Sequence, residues 1–138
     1  MTWASKYLRI PFVDGGRGWD GADCWGLIRL VYANELGVDL PSYGHISAED
    51  TAKKEQAFIH GGGDFNVWHK IDGDPCPFDV VVMRVYGSRH AGHCGVVTND
   101  GRLLHSDGQA GPCIVPFGDI TVRNRVLFVR RHSSQCNL

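Results

Sequence analysis

The first third of the chain places apolar and polar residues with the spacing of helices. Residues 3–8 predict a short opening helix, and the proline and glycines of residues 10–18 predict a loop. From Cys24 to Val31 the apolar positions recur at helical spacing, and Gly37, followed by a proline, is a stop signal. The pattern therefore predicts a helix of about three turns that begins at Cys24.

A second helix is predicted further along the chain. Ser47 and Asp50 have a spacing that resembles a capping box, and the run of glycines at residues 61–63 ends the helical pattern. Its apolar positions are Ala52, Ala57, Phe58 and Ile59. Beyond the glycines the periodicity changes from that of a helix to that of strands.

Six segments of the second half are rich in Val, Ile or aromatic residues and are bounded by Gly, Pro, Asn or Asp, as strands are. They are Phe65 to Ile71, Phe78 to Tyr86, Gly92 to Thr98, Arg102 to Asp107, Cys113 to Phe117 and Val126 to Arg131. Because helices come first and strands afterwards, we expect an α+β fold in which N-terminal helices pack on a central antiparallel sheet.

Size and charge narrow the class of protein. With 138 residues, 43% of them hydrophobic, the chain is long enough for one core, so we expect a single domain over residues 1–138. The formal net charge is −1, so the chain has no overall positive charge that would attract nucleic acid or an acidic membrane surface. Four basic residues near the end predict a solvated strand face: Arg123, Arg125, Arg130 and Arg131.

The sequence predicts neither a membrane span nor a secretory signal. No apolar run reaches the roughly 18 residues of a span, and the first residues lack the apolar region of a signal peptide. We therefore expect a protein without membrane insertion that is made in the cytoplasm and, if it acts outside the cell, is carried there by other means. The five cysteines form no CxxC pair and are odd in number, so at least one thiol is expected to be free.

Cys24 lies where a nucleophilic thiol is favoured. The first turn of a helix presents backbone N–H groups and the positive end of the helix dipole, and both stabilise a thiolate. Asp23, directly before it, is placed to be the N-cap residue. The same N–H groups can receive the oxyanion of an acyl-transfer intermediate, so Cys24 is the predicted nucleophile.

Two histidines are predicted to meet on one hairpin. The loop at residues 99–101 ends in glycine, which suits a three-residue turn that pairs Thr98 with Arg102. Counting back from that pair places His105 opposite Gly95 and on the same face as His93. We predict that His93 takes the thiol proton and later protonates the leaving amine, while His105 holds its ring and tautomer.

The residues suggest two other kinds of chemistry, a zinc site and a phosphate-binding loop. Zinc could find ligands among His90, His93, Cys94 and His105, but neighbouring strand residues point to opposite faces, so we predict no metal and no cofactor. The glycine-rich residues 15–18 lack the Lys-Ser/Thr and the preceding strand of a phosphate-binding loop, which favours a flexible wall beside the nucleophile.

These motifs resemble those of the NlpC/P60 cysteine peptidases. Residues 21–28, GADCWGLI, resemble the family's D-C-S-G-[FL] block; residues 78–83, FDVVVM, its G-D-L-V-F-F strand; and residues 93–97, HCGVV, its H-V-G-I-Y. Residues 103–106, LLHS, match the strand that carries the third catalytic residue. The resemblance covers roughly residues 7 to 107 and implies a papain-like α+β fold with Cys24, His93 and His105 as catalytic residues.

The resemblance also implies a substrate and a setting. Family members typically cut peptidoglycan stem peptides, often between D-glutamate and diaminopimelate. Residues 10–16, IPFVDGG, together with D-C-W-G, resemble versions found in bacteriophage tail and gene-transfer-agent proteins. This implies a tail-associated cell-wall hydrolase whose partners are the peptidoglycan peptide and other tail proteins.

Two positions differ from the family pattern. Phe12 stands where many relatives have a Tyr whose hydroxyl helps at the oxyanion, which leaves that role to backbone N–H groups and predicts low activity. Trp25 replaces the Ser after the nucleophile and is expected to reshape substrate binding. Trp19 is also near the thiol in sequence, so the predicted substrate-binding residues are Phe12, Trp19, Asp23 and Trp25.

Two other functions stay open at this point. A structural tail protein could keep the fold and use it only for assembly contacts. An amidase or acyltransferase could use the same three residues, because the chemistry fixes the acyl intermediate and not its acceptor.

Overall fold

The computed structural model describes residues 3–42 and 67–135. The chain opens with a 3₁₀ helix, Trp3–Tyr7, and then forms a short hairpin from β1 (Arg17–Gly18) and β2 (Gly21–Ala22). Helix α1 (Cys24–Val31) follows β2 after a single intervening residue, Asp23. A π-helical turn, Tyr32–Leu36, extends α1 and ends at Gly37, whose φ of 66° lies in the left-handed region that glycine adopts readily.

The second half forms one antiparallel sheet. Its strands are β3 (Trp68–Ile71), β4 (Val80–Arg84), β5 (Ala91–Val97), β6 (Leu103–Ser106), β7 (Pro112–Val115) and β8 (Val126–His132). Their order across the sheet is β3-β8-β4-β5-β6-β7. Strands β4 to β7 therefore lie side by side in the order of the sequence, and β8 lies between β3 and β4.

The structure confirms the predicted α+β class and its antiparallel sheet. All six predicted strands have a counterpart, and the predicted helix begins at Cys24 and ends at Gly37. The predicted loop over residues 10–18 is only partly correct, because Arg17 and Gly18 pair with β2. The predicted second helix, from Ser47 to the glycines at 61–63, lies outside the described residues.

The core has two parts, one on each face of the sheet. On one face, apolar residues of α1 pack with residues of the central strands, among them Ile28, Val31, Val80, Val96 and Leu104. On the other face lies a smaller cluster of Val81, Met83, Val97, Leu103 and Val122. Helix α1 is thereby fixed against the strands that carry the two histidines.

The prediction of a solvated basic face is wrong for two of its four arginines. Arg125 is buried, and its guanidinium lies 2.6 Å from a carboxylate oxygen of Asp107. Arg131 makes two hydrogen bonds, of 2.8 and 2.9 Å, to the fully buried carboxylate of Asp79. The reason is that a carboxylate withdrawn from water, fully at Asp79 and partly at Asp107, is stabilised by a cationic partner, and the last strand and the residue before it pass close enough to supply one.

Among residues 3–42 and 67–135, no helix is both long enough and apolar enough to cross a bilayer.

Candidate active site

Asp23 fixes the start of the helix that presents the thiol. Its backbone is extended (φ −82°, ψ −173°), and its carboxylate accepts a hydrogen bond of 2.8 Å from the backbone N–H of Gly26. The same carboxylate also accepts from Arg17 at 2.8 Å and from the backbone N–H of Gly15 at 3.2 Å. This confirms the N-cap prediction and ties the glycine-rich loop to the first turn of α1.

The glycine-rich loop lies directly against this first turn. A Cβ on Gly26 would come within 2.2 Å of the carbonyl oxygen of Gly16, a distance that no real side chain tolerates. Close approach therefore explains why the second position after Cys24 is glycine. The loop therefore lies against the turn that Cys24 begins, and its predicted role as a flexible wall beside the thiol stays a prediction.

The Cys24 thiol lies in an environment that favours its anion. It is buried, with 7% of its surface exposed, and its pKa is held well below the ordinary value for a thiol. The largest cause is a side-chain hydrogen bond from Cys94; a hydrogen bond and the charge of His93 act in the same direction. Burial and the negative charge of Asp23 oppose them but do not prevail.

The two histidines lie side by side on the hairpin of β5 and β6, as predicted. The turn pairs Thr98 with Arg102 through a hydrogen bond of 2.8 Å, and Gly95 stands opposite His105 in the register of β5 and β6. The two imidazoles are buried, and Nε2 of His93 lies 2.8 Å from Nδ1 of His105. A Cβ on Gly95 would lie 3.0 Å from Cβ of His105, so glycine gives the second histidine its room.

His105 is a neutral ring under ordinary conditions. Burial, with the charge of His93 as the next cause, lowers the pKa of His105 from 6.5 to about 4. When His93 is protonated, both of its nitrogens donate, so Nδ1 of a neutral His105 must accept from Nε2. In that tautomer His105 carries its proton on Nε2, which has no hydrogen-bond partner among the described residues. His93 is left with Nδ1 for proton exchange.

A carboxylate that sequence reasoning missed completes the group. One oxygen of Asp107 lies 3.8 Å from Nδ1 of His93, and Arg125 holds the other at 2.6 Å. Hydrogen bonding and charge from Arg125, with the charge of His93, hold the pKa of Asp107 below its usual range even though burial opposes them. A signal was present, because Asp107 follows His105 by two residues, the spacing of one strand face.

The same three side chains could also hold a divalent cation. Ligand atoms of His93, His105 and Asp107 all lie within 4.8 Å of one another. This set differs from the four ligands considered from sequence, because His90 is exposed in a turn and Cys94 packs beneath α1. The guanidinium of Arg125 already pairs with Asp107, so the arrangement fits a polar network better than a metal centre.

The predicted substrate-binding residues occupy different positions. Phe12 is half-buried and pairs with Ala22, two residues before Cys24. Trp25, also half-buried, donates its indole N–H to the carbonyl of Pro41 at 2.8 Å. Trp19 is 40% exposed and stacks on Tyr7 with ring centroids 5.3 Å apart. Their contact with a substrate stays a prediction.

Known structures share this fold at low sequence identity. The NlpC/p60 domain of the peptidoglycan hydrolase SagA matches with 17% identity and a TM-score of 0.59, over 93% of this chain and 92% of that one. An NlpC/P60 family protein from Bacillus cereus matches with 17% identity and a TM-score of 0.62, over 94% of this chain. A lipoprotein-like NLP/P60 family protein from Staphylococcus aureus matches with 22% identity and a TM-score of 0.60, over 93%.

The last two matches are to longer proteins, of which this chain spans 37% and 38%. A comparison with curated protein sequences finds no match. The model of the NlpC/P60 family matches residues 9–115, a stretch that includes α1, the glycine-rich loop and the strands of both histidines. The chain therefore belongs to the NlpC/P60 family.

Proposed function

We propose that the protein is a cysteine peptidase that hydrolyses peptide bonds in the stem peptides of bacterial peptidoglycan. The observation that carries the proposal is the group formed by Cys24, His93 and His105. A thiol with a lowered pKa begins a helix, it shares a hydrogen bond with one imidazole, and that imidazole is held at 2.8 Å by a second. Nucleophile, base and orienting group are the parts that acyl transfer through a thiolate needs.

The proposed reaction begins with attack by the Cys24 thiolate on the scissile carbonyl carbon. The first-turn N–H groups of α1 face the same end of the helix as the thiol and would receive the oxyanion. Phe12 has no hydroxyl to add to them. Protonated His93 then gives its proton to the leaving amine, and afterwards it takes one from the water that hydrolyses the thioester.

His105 and Asp107 support the change of charge on His93. Neutral His105 accepts from Nε2 and fixes the ring, while the Asp107 carboxylate lies 3.8 Å from Nδ1 and stabilises the imidazolium. Arg125 holds that carboxylate in place through its own short contact of 2.6 Å. The ring of His93 is therefore held between a hydrogen-bond partner at Nε2 and a carboxylate near Nδ1.

For the substrate we propose the bond between D-glutamate and diaminopimelate, and for the setting a phage-type tail that delivers the enzyme to the cell wall. Support comes from membership of the NlpC/P60 family and from the structural similarity to the NlpC/p60 domain of the peptidoglycan hydrolase SagA. The sequence blocks around Phe12 and Trp25 support the tail setting by resemblance. Other tail proteins would then be its partners.

Digestion of purified sacculi tests the proposal. Wild type is compared with Cys24→Ser, which keeps the shape of the side chain and removes the thiolate, and released fragments are identified by mass spectrometry. Wild type is expected to release stem-peptide fragments with a new amino terminus at diaminopimelate, and the variant none. Release by neither protein, even in assembled particles, would favour a structural tail protein. Fragments cut at another amide would keep the mechanism and change the bond.

A further inference from the structure

Cys94 is a second thiol at the proposed site, and the mechanism does not use it. It follows His93 in β5, is 1% exposed, and belongs to the same buried cluster as Cys24 and the apolar face of α1. The side chain of Cys94 packs in the cluster between the sheet and α1, where Cys24 also lies.

The two side chains touch. The Cys94 thiol donates a hydrogen bond to the sulfur of Cys24, and this contact is the largest influence that favours the Cys24 thiolate. Neither residue is part of a disulfide in the structure. A thiolate that accepts a hydrogen bond from a second thiol already lies next to the sulfur with which it would form a disulfide.

We propose that Cys24 and Cys94 are a redox pair that closes into a reversible disulfide and so switches the site off. The inference rests on the proposed function, because only a nucleophilic Cys24 makes the disulfide an inhibitory state. The disulfide occupies the sulfur that would attack the substrate. It also removes the hydrogen bond that Cys94 supplies.

A peroxide supplies the oxidising step. The Cys24 thiolate attacks one peroxide oxygen, so that a sulfur–oxygen bond forms, the oxygen–oxygen bond breaks and hydroxide leaves. The Cys94 sulfur then attacks the resulting sulfenic acid, its proton goes to the departing hydroxyl, and water leaves as the disulfide forms. Two thiols are oxidised, and one hydrogen peroxide is reduced to water.

Burial decides which thiol reacts at each stage. Cys94 has 1% of its surface exposed, so it reacts with an oxidant less readily than Cys24, the first residue of α1, which has 7% exposed. Of the other described cysteines, Cys76 is exposed and Cys113 is half-buried on β7, where burial is the largest cause that raises the pKa of its thiol. We therefore expect Cys113 to be slow to oxidise and to serve as the matched control.

The test uses the full chain and hydrogen peroxide. After treatment, remaining thiols are blocked with an alkylating reagent and the protein is digested without reduction. Wild type is expected to yield a peptide linked through Cys24 and Cys94, and dithiothreitol is expected to restore labelling of Cys24. Cys113→Ala should behave in the same way as wild type.

The informative variant is Cys94→Val, because valine is the residue that the H-V-G-I-Y pattern of the NlpC/P60 family has at this buried position. It should form no linked peptide, and its Cys24 should proceed to sulfinic acid, so dithiothreitol restores little of the labelling. Cys94→Ala repeats the test should the valine distort the fold. Wild type that gives sulfinic acid without the link, or a Cys94→Val protein that dithiothreitol restores as fully as wild type, would overturn the proposal.

The readouts separate this inference from the proposed function. Linkage and labelling need no substrate, so a disulfide in a protein that never cleaves sacculi would refute the peptidase and leave the pair intact. Cleavage of sacculi that peroxide stops irreversibly, without linkage, would refute the pair and keep the peptidase. If both hold, the fraction of lost activity equals the fraction of linked protein, and dithiothreitol returns both to the starting value.

Discussion

Gly95 and His105 face each other across β5 and β6, and the missing side chain of one makes room for the other. A Cβ on Gly95 would lie 3.0 Å from Cβ of His105, 3.0 Å from the carbonyl oxygen of Leu104 and 2.7 Å from a methyl of Leu103. These neighbours include backbone and a fully buried leucine, so they have little freedom to move. The position of the second imidazole therefore depends on a glycine on the neighbouring strand.

Gly95→Ala should lower both the free energy of unfolding and the rate at which sacculi are cleaved. The added methyl must push β6 away from β5, and overpacking of this kind costs about 1–3 kcal/mol of unfolding free energy. It also displaces His105 from Nε2 of His93, so cleavage of sacculi should fall by more than the loss of folded protein explains. Denaturant unfolding and initial rates on the same samples measure the two effects.

Gly118→Ala is the matched control, because no atom lies within 4 Å of the Cβ it would add. It should change the unfolding free energy by less than about 0.5 kcal/mol. A Gly95→Ala protein with unchanged activity would show that the strand spacing does not set the position of His105.

Neutral His105 makes the fold sensitive to acid. Its pKa is lowered from 6.5 to about 4 in the folded protein, chiefly by burial. Between these two pH values the unfolded chain binds a proton that the folded chain does not, so stability falls as pH falls through this window and levels off below it. The full effect corresponds to about 3 kcal/mol.

His105→Gln removes this titration and keeps a polar side chain. The difference in unfolding free energy between pH 7 and pH 4, measured in urea, should shrink by most of that amount. His69→Gln, a change at an exposed histidine of β3, is the control and should leave the difference as in wild type. Equal pH dependence in wild type and His105→Gln would contradict a buried neutral ring.

The Cys24 thiol should stay reactive at pH values where ordinary thiols do not. A hydrogen bond from Cys94 is the first cause of its lowered pKa, and His93 is the main further one. The rate of alkylation by iodoacetamide should therefore have its midpoint below the value of about 8.5 that is usual for a thiol. Peptide mapping across a range of pH measures that midpoint at Cys24 alone.

Removal of either partner should raise this midpoint. His93→Ala removes a hydrogen bond and a positive charge, and Cys94→Val removes the stronger hydrogen bond. Cys113→Ala changes a thiol outside this group of contacts and should leave the midpoint unchanged. A midpoint at the ordinary value in wild type would show that the helix start and its neighbours do not stabilise the anion.

The sequence predicted those parts of the site that depend on local rules. The N-cap at Asp23 follows from residue type, and the meeting of His93 with His105 follows from a turn of known length and the alternation of strand side chains. Each inference needs only a few neighbouring residues. For this reason the helix start and the histidine pair were both correctly placed.

Contacts between distant segments were not predictable in this way. Arg125 reaches Asp107, which is 18 residues away, and Cys94 meets Cys24 across the face between sheet and helix. Nothing local distinguishes Arg125 from the exposed Arg123, so all four basic residues near the end were expected to be solvated. Only the insertion of β8 next to β4 brings Arg125 to the half-buried carboxylate of Asp107 and Arg131 to the buried carboxylate of Asp79.

Phe78 has a backbone conformation that is unusual for a residue other than glycine. It stands where the family strand has a glycine, and its φ of 73° lies in the left-handed region that glycine prefers. Its ring stacks on Trp3 with centroids 4.7 Å apart, and its carbonyl accepts a hydrogen bond from Tyr32. Packing and hydrogen bonding outweigh the backbone preference at this position.

The pair of Asp79 and Arg131 gives the largest expected loss of stability. Asp79 is fully buried at the start of the central strand, and Arg131 donates to both of its oxygens at 2.8 and 2.9 Å. Arg131→Met keeps most of the side-chain volume but leaves a buried carboxylate without its cation, which costs about 3–5 kcal/mol of unfolding free energy.

The control is Arg123→Met, a change at an exposed position, which should cost less than about 0.5 kcal/mol. Urea unfolding of both variants at neutral pH measures the difference. A loss below about 1 kcal/mol in Arg131→Met would mean that Asp79 is stabilised by its backbone contact with Cys76, at 2.8 Å, and not by the arginine.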